Sequence, residues 1–470
     1  MLKTLGLYGL ITVGFLAAMG LVLFAGQGLG SGPSHSPSQV DPFAALLTTL
    51  HAPLSQLLMQ VVVIVSVARL VGALFQRFGQ PAVVGEMFAG VALGPSLLGG
   101  QFPQVARFVF PSASLGNLNL LSQVGIVLFM FVVGMELDTR LLRQKANTAV
   151  LVSHSSIFVP FLFGLSSALF LFKGFAGQQG TFLPFALFIG ISMSITAFPV
   201  LARILRERHM TGTQLGNTAI TCAAVDDITA WCSLAFIVAI SKAQSLAGSV
   251  LTLVLSATFV AIALGLLRPL LQRMVARLED PSKPGANAVV TALVSVFACA
   301  LFTEAIGIHA LFGAFVAGIA MPKEPEFREF LTERLEYFST LFLLPIFFAY
   351  TGLRTQVGLL NGPADWLTCL YLLFIAVAGK FGASALASKA TGLNWKESIA
   401  IGALMNTRGL MELIALNLGL DLGVLSPKIF AMLVLMALVT TFTTGPVLTR
   451  LGFGQRKTAA SGGNSALEGA

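Results

Sequence analysis

The sequence has little charge. Only 10% of its 470 residues are Asp, Glu, Lys or Arg, whereas a soluble globular domain carries roughly 25%. These few charged side chains cannot cover a water-facing surface, which excludes a soluble globular protein. Hydrophobic residues make up 56% of the chain and lie in runs near bilayer length. The composition therefore predicts an all-α polytopic membrane protein surrounded by a lipid bilayer.

Cysteine and histidine are also scarce. None of the five histidines lies three or four residues from another, so a zinc site has little support. The four cysteines lie in apolar runs without CxxC spacing, and we predict that they are small buried packing residues. No catalytic triad, metal cluster or phosphate-binding loop is evident. We therefore expect neither an enzyme nor a cofactor.

The net charge of +8 resides mainly in short loops between apolar runs, a distribution that does not indicate a nucleic-acid partner. Residues 138–145 and 203–209 are rich in Lys and Arg, whereas residues 241–248 and 361–365 are poor in both. By the positive-inside rule, the basic loops and the C-terminus are cytoplasmic. We expect the protein to lie in the inner membrane of a bacterium.

The apolar runs predict about thirteen core spans, with boundaries uncertain by a few residues. The predicted spans are 55–75, 83–100, 117–137, 148–173, 183–205, 214–241, 248–272, 286–305, 307–322, 336–354, 364–388, 397–419 and 427–449.

Three further segments flank this predicted core of residues 55–450. Residues 1–26 form either a transmembrane helix or a signal segment, and the missing A-x-A cleavage site favours a retained helix. Residues 27–54 are expected to be an extracytoplasmic linker, and residues 451–470 a short cytoplasmic tail.

The core contains an internal repeat. Residues 79–95 resemble residues 307–322, and residues 128–142 resemble residues 344–360. The two copies, about 55–241 and 286–449, hold six spans each, and the single span between them inverts the second copy. Inverted repeats are typical of secondary transporters, whose site lies where the copies meet at mid-membrane.

One span in each copy combines a helix breaker with polar residues. Pro199 follows Ser194 and Thr196 in the first copy, and Gly409 follows Asn406 and Arg408 in the second. A proline kink with back-bonded hydroxyls explains one such span. Two at matched positions indicate interrupted helices, whose free carbonyls and helix ends can coordinate ions.

Few ionisable residues lie inside the predicted spans, and each is a candidate functional residue. They are Glu86, Asp226, Asp227, Lys380, Arg408 and Glu412. Adjacent aspartates point about 100° apart on a helix, so one can face a transport cavity while the other pairs with a cation. Lys380, flanked by Gly379 and Gly382, which permit close helix approach, is the predicted partner of Asp226. Asp227 would then hold the transported ion.

Structural alternatives remain open for the other charges. Arg408 and Glu412 are spaced i, i+4 and can pair along one helix. Glu86 can bind a backbone amide or a hydroxyl as a protonated acid. Glu304 and His309 lie near a predicted external end, where an interfacial position is expected.

Five stretches together resemble the monovalent cation:proton antiporter-2 family, in particular the plant cation/proton exchangers and their bacterial relatives. They are SITAFPVLARIL (194–205), AVDDITAW (224–231), HALFGAFVAGIAMP (309–322), GLRT (352–355) and NTRGLMELIALN (406–417). The resemblance covers residues 55–450 and implies the Na+/H+ antiporter fold, in which a six-helix core with two crossing discontinuous helices moves against a dimerisation domain.

The resemblance also implies an ion site and a homodimer. In that family the second aspartate of the pair, here Asp227, binds Na+ or K+, and the first, here Asp226, pairs with a lysine in electrogenic members. Thr196 and the broken backbone near Ser194 would add neutral oxygens, while Asn406 is a possible supporting residue. The plant exchangers commonly have Asn at the position of Asp226, which leaves the preferred cation open. The tail is expected to be too short for the nucleotide-binding domain of some relatives.

These residues predict a secondary transporter that exchanges a monovalent cation for protons by alternating access. Desolvation favours the protonated form of a carboxylate and a bound cation favours the ionised form, so the two compete. An organic-anion/Na+ symporter shares the inverted repeats but needs neither the paired acids nor the single lysine. A channel does not need a pair of interrupted helices.

Overall fold

The computed structural model describes residues 49–50, 52–136, 146–242, 246–277 and 285–453. The chain divides into two compact units, Met1–Ser55 and Gln56–Ala470, and the first lies almost wholly outside the described residues. The predictions for residues 1–26, for most of the linker 27–54 and for nearly all of the tail 451–470 also fall outside them.

The described chain is helical apart from one isolated antiparallel bridge, between Ala176 and Leu425. The helices are α1 (Pro53–Arg77), α2 (Ala82–Leu93), α3 (Leu98–Gln101), α4 (Pro103–Val109), α5 (Leu115–Glu136), α6 (Ala146–Phe175), α7 (Phe182–Ser194), α8 (Phe198–Glu207), α9 (Gln214–Lys242), α10 (Leu246–Ile262), α11 (Arg268–Val275), α12 (Ala286–Ala305), α13 (Ala310–Ala320), α14 (Pro325–Phe338), α15 (Leu344–Arg354), α16 (Pro363–Val377), α17 (Ala383–Ala390), α18 (Trp395–Met405), α19 (Leu410–Asp421) and α20 (Pro427–Arg450). π turns join α10 to α11, α14 to α15 and α16 to α17, and 3₁₀ turns cover Ser112–Ser114 and Val357–Leu359.

These helices reproduce the predicted spans. Twelve continuous or interrupted helical segments among the described residues are long and apolar enough to cross a membrane, and α13 is a shorter apolar helix. Every predicted span between residues 55 and 449 coincides with one of these thirteen segments. The protein is therefore an integral, multi-pass membrane protein.

Two sequence predictions need correction. The charged stretch from residue 322 to the predicted span at 336 is not a plain loop, because residues 325–338 form α14, which continues into α15. That helix is stabilised by burying Phe327 and Leu331 on one face. Of the cysteines predicted to be buried, Cys232 is exposed, since it lies on an outward face of α9.

The two repeats pack against each other in a reciprocal way. α2 of the first repeat packs on α15 of the second, and α13 of the second packs on α5 of the first. The turns that precede the two short helices also match, because Gly79 and Gly307 both have a positive φ, of 72° and 89°. A residue with a side chain rarely adopts this conformation. The matched turns and contacts support the predicted inverted repeat.

Glycines permit the closest approach in both of these contacts. A Cβ on Gly134 would overlap the carbonyl oxygen of Phe315, and a Cβ on Gly318 would overlap that of Phe131. In the other contact, a Cβ on Gly90 would overlap the carbonyl oxygen of Phe348, and a Cβ on Gly352 would overlap that of Gly90. The small residues therefore set the distance between the repeats.

We expect Gly134→Ala to lower the free energy of unfolding by about 1–3 kcal/mol, because the new methyl group forces α5 and α13 apart. The measurement is a thermal melt of the detergent-solubilised protein. Gly116→Ala on the same helix is the control, since a Cβ there meets nothing within 4 Å. Equal melting temperatures for the two variants would contradict the tight-packing argument.

The helices form two groups, each defined by the contacts among its own helices. In the first group α6, α7 and α9 contact one another, α17 contacts α6 and α18, and α20 contacts α16, α18 and α19. In the second group α2, α5, α13 and α15 form the reciprocal contacts, with α12 and α14 beside them. The interrupted helices and the paired aspartates lie in the first group.

Candidate functional site

Two helical spans are interrupted where the sequence predicts. α7 ends at Ser194, and the chain runs on in non-helical conformation until α8 begins at Phe198. Pro199 occupies the first turn of α8, where its missing N–H costs no hydrogen bond. The second interruption, residues 406–409, separates α18 from α19.

The two interruptions meet each other. The backbone N–H of Ala197 donates to the carbonyl of Thr407 at 3.0 Å. The hydroxyl of Thr196 donates to the carbonyl of Met405 at 3.0 Å. The discontinuous helices therefore cross, and each satisfies backbone groups that the other leaves free.

Two buried cations cap the end of α7. The last carbonyls of a helix lack partners within it and carry partial negative charge. Lys380 donates to the carbonyl of Ser194, and Arg408 donates to those of Ser192 and Met193. Both cationic side chains are fully buried. The carbonyl groups at the C-terminal end of α7 thus accept hydrogen bonds from both buried cationic side chains.

Lys380 and Asp226 form a buried ion pair. Lys380 Nζ lies 3.1 Å from Asp226 Oδ2, and both side chains are inaccessible to solvent. Ser156 of α6 joins them: Lys380 donates to its carbonyl at 3.1 Å and lies 3.2 Å from its hydroxyl. The same hydroxyl lies 3.5 Å from Asp226 Oδ2. The carboxylate of Asp226 is therefore neutralised locally by a hydrogen-bonded ammonium group.

A π turn positions the lysine. Lys380 lies in the turn Ala378–Gly382 between α16 and α17, and such a turn re-aims a side chain by inserting a residue into the helix. A Cβ on Gly379 would lie 3.0 Å from Pro160 of α6, whereas a Cβ on Gly382 would meet nothing within 4 Å. Only Gly379 therefore permits the close helix approach that was expected of both glycines.

Asp227 has a different environment from its neighbour. Its side chain is 2% exposed, and neither carboxyl oxygen has a hydrogen-bond partner among the described residues. Trp231 lies one helical turn further along α9, and its indole N–H has no hydrogen-bond partner among the described residues either. An unpartnered buried carboxyl group is costly unless a proton or a cation occupies it.

The predicted neutral oxygens lie close by but are partly engaged. The Ser194 hydroxyl lies 3.0 and 2.8 Å from the carbonyl oxygens of Ile157 and Gly190, which share its single hydrogen. The carbonyl of Ser194 accepts from Lys380. The Thr196 hydroxyl donates to Met405, and its oxygen keeps lone pairs that could face a cation.

The remaining predicted residues lie around the crossing rather than beside Asp227. Arg408 and Glu412 pair along α19's first turn at 3.3 Å. Asn406 lines a cavity of about 320 Å³ between α16, α18 and α20, and its Oδ1 has no hydrogen-bond partner within the described segments. Glu86 lies 3.7 Å from Arg203 and 3.8 Å from Arg69. Its partners are therefore arginines, instead of the amide or hydroxyl considered from the sequence.

The flanking pair Glu304 and His309 lies where the sequence places it. Glu304 is half exposed and 4.0 Å from Lys242, and its carboxylate accepts from the backbone N–H of Ala310. The His309 ring accepts from Leu311 N–H at the start of α13. Both side chains therefore cap the N-terminal end of α13.

Sequence reasoning missed several residues of this site. Ser156 is one of three serines in the run SHSS (153–156) inside an apolar span, which was a usable signal. Thr441 of α20 accepts from the backbone N–H of Arg408 and donates to its carbonyl. No local pattern marks Thr441, because its role arises only when α20 packs against the interruption.

A cavity of about 230 Å³ leads towards the crossing from the face that carries the basic loops. Its mouth is charged, with Glu136, Arg206 and Glu336 among its lining residues. Its inner wall includes Pro199 and Leu410, which begin the second halves of the interrupted helices. The crossing is thus reachable from one side of the protein.

No group of three or more His, Cys, Asp or Glu side chains within the described ranges is arranged to hold a metal ion. Two carboxylates with neutral oxygens nearby are a weak, hard-ligand set.

Comparison with known proteins identifies related chains. The model of the family "Sodium/hydrogen exchanger, transmembrane" matches residues 62–454. The Na(+)/H(+) antiporter NhaS4 of Synechocystis sp. is 43% identical over 84% of this chain and 97% of its own length. K(+)/H(+) antiporter 1 of Saccharomyces cerevisiae is 37% identical over 85% of this chain but only 46% of its own length. The chain thus spans about half of this yeast relative.

A plant protein and a solved structure are also similar. Cation/H(+) antiporter 19 of Arabidopsis thaliana is 38% identical over 83% of this chain and 49% of its own length. The sodium proton antiporter MjNhaP1 of Methanocaldococcus jannaschii superposes with a TM-score of 0.62 at 13% identity, over 84% of this chain and 97% of that structure. The likeness shows that the two proteins share a fold. With its family match over most of its length, this chain belongs to the transmembrane sodium/hydrogen exchanger family.

Proposed function

We propose that this protein is a secondary active transporter, not an enzyme, that exchanges Na+ or K+ for protons across a membrane by alternating access. The observation that carries the proposal is the buried Asp227 carboxyl group, which has no hydrogen-bond partner in the described chain beside the neutralised pair of Asp226 and Lys380. The relatives named as Na+/H+, K+/H+ and cation/H+ antiporters support it.

Exchange follows from competition at Asp227. A cation stabilises the ionised carboxylate, and a proton neutralises it, so the buried group holds one or the other. Asp226 is already paired with Lys380, which leaves Asp227 as the variable charge. The Thr196 hydroxyl supplies a neutral oxygen to the cation. The two adjacent aspartates titrate as a coupled pair.

Movement between the two helix groups would expose the site alternately. On the side opposite the cavity, Arg354 of α15 pairs with Asp421 at 2.6 Å and donates to Asn417 at 3.0 Å, both on α19. These bonds join the second group to the first and close that side. Opening to that side requires them to break, while the cavity at Arg206 and Glu336 closes.

The membrane, the orientation and the oligomer are part of the same proposal. The Lys- and Arg-rich face is cytoplasmic, the C-terminus lies inside, and the membrane is the inner membrane of a bacterium. The second helix group forms a homodimer, as the resemblance to the antiporter fold implies.

The test is a dequenching assay in proteoliposomes with an imposed pH gradient and Li+, Na+, K+ or Rb+ added in turn. Proton efflux on addition of Na+ or K+ is the expected result. Proton movement that requires an organic anion would favour the symporter, and no proton movement with any cation would refute the exchanger. The relatives' names include both Na+ and K+, so the assay also decides which cation is preferred.

Thr196→Val should raise the apparent KM for the cation roughly three- to tenfold, because one oxygen contact of about 0.5–1.5 kcal/mol is lost. The dequenching assay measures this KM. Thr196→Ser is the matched control, since it retains the hydroxyl and the bond to Met405. A KM that stays at the wild-type value in Thr196→Val would show that Thr196 only joins the two interruptions.

A further inference from the structure

Trp231 is a buried residue with a polar N–H group, and it lies on the same helix as Asp227. It lies four residues after Asp227 on α9, so the two side chains share a face of the helix. Its side chain is 3% exposed, and its indole N–H has no hydrogen-bond partner in the described part of the chain. A buried donor without an acceptor is rare in native proteins.

The missing acceptor is next to it. Both oxygens of the Asp227 carboxyl group, one helical turn away on the same face of α9, also lack a hydrogen-bond partner among the described residues. Leaving a donor and an acceptor unsatisfied side by side is unfavourable. A small side-chain rotation that joins them is therefore favoured whenever Asp227 holds no cation.

Trp231 also contacts the opposite helix group. Its ring stacks on Phe315 of α13, with the centroids 6.0 Å apart and the planes at 27°. α9 lies in the first group and α13 in the second. Trp231 thus lies between Asp227 and the second helix group, relative to which the ion site would move.

We propose that Trp231 is a positioning residue of the ion site, whose indole N–H donates to the Asp227 carboxyl group when no cation occupies the site. The indole N–H only donates, so it cannot act as a ligand of a cation. A cation entering the site displaces it from the carboxylate. This inference rests on the proposed function, because it takes Asp227 as the residue that binds the cation.

The first test is Trp231→Phe in the dequenching assay at constant pH. Phenylalanine retains an aromatic ring against Phe315 and removes the N–H. The cation-free site loses a hydrogen bond and the loaded site does not, so KM should fall roughly three- to tenfold. The kcat should fall too, because the cation leaves more slowly. Trp366→Phe, at an exposed position, is the control and should retain both values.

A raised or unchanged KM in Trp231→Phe would overturn the proposal. Loss of packing alone raises KM or lowers kcat, and it does not tighten the apparent binding of the cation. The fall in KM is therefore the result that separates positioning from a purely structural role.

The second test reads the indole directly. The chain has three tryptophans, and Trp366 and Trp395 are 46% and 55% exposed. The variant Trp366→Phe with Trp395→Phe leaves Trp231 as the only tryptophan. Its emission should shift on addition of the transported cation and saturate near the KM. The further substitution Asp227→Asn should abolish the response.

The outcomes separate the two proposals. One outcome is that the single-tryptophan carrier exchanges cations for protons without any change in its tryptophan emission on addition of the cation. That result refutes the role of Trp231, while the exchange function stands. If the wild-type protein exchanges no monovalent cation in the same liposomes, the exchange function itself fails.

Discussion

Asp227→Asn abolishes cation/proton exchange, down to the rate of protein-free liposomes, while the protein still folds and inserts. Asparagine has almost the shape of aspartate but can neither release a proton nor balance the charge of a cation. Because neither carboxyl oxygen of Asp227 has a hydrogen-bond partner within the described residues, the substitution breaks no such bond there, and stability should be retained. The measurement is exchange by purified protein in liposomes, alongside a thermal melt.

Asp365→Asn is the matched control. Asp365 begins α16 and pairs with Lys428 of α20 at 3.0 Å, away from the crossing. We expect this variant to exchange at nearly the wild-type rate. Near wild-type exchange by Asp227→Asn would show that another group carries the proton.

Lys380→Ala has the largest expected effect on stability. It leaves Asp226 buried without its ammonium partner, and removing one member of a buried pair costs roughly 3–5 kcal/mol. The three backbone and hydroxyl contacts of Lys380 with Ser156 and Ser194 are lost as well. The melting temperature in detergent should fall clearly, whereas Lys396→Ala, at an exposed position, should leave it unchanged.

A double-mutant cycle isolates the pair. Asp226→Asn with Lys380→Gln removes both charges, so the double variant should recover much of the stability that either single variant loses. Additive effects within about 0.5 kcal/mol would mean that the two residues do not interact. The Lys380→Gln carrier should also stop responding to membrane potential if the lysine carries a transported proton.

The sequence by itself is sufficient for the number and position of the spans. A bilayer admits only segments whose backbone groups are satisfied internally, so each apolar run of sufficient length between residues 55 and 449 became a helical segment. The inverted repeat was also readable, because matched glycines such as Gly79 and Gly307 are needed at matched turns.

Local sequence was less informative where contacts with other segments decide the outcome. The charged stretch at 325–338 forms α14 because Phe327 and Leu331 find a buried surface, which its composition alone does not indicate. The sequence left a neutral partner for Glu86 as one alternative, whereas folding brings Arg203 of α8 beside it. Both outcomes depend on elements far away in the chain.

For the candidate site, too, the sequence indicates some features and the tertiary structure decides the others. Its ionisable members could be named from the sequence, because a charge inside an apolar run is expensive and is retained for a reason. Which partner each charge has was decided only by the tertiary structure, which joins Lys380 and Asp226 across 154 residues of chain. The same packing leaves Asp227 without a hydrogen-bond partner in the described chain, because two neighbours on one helix face different surroundings.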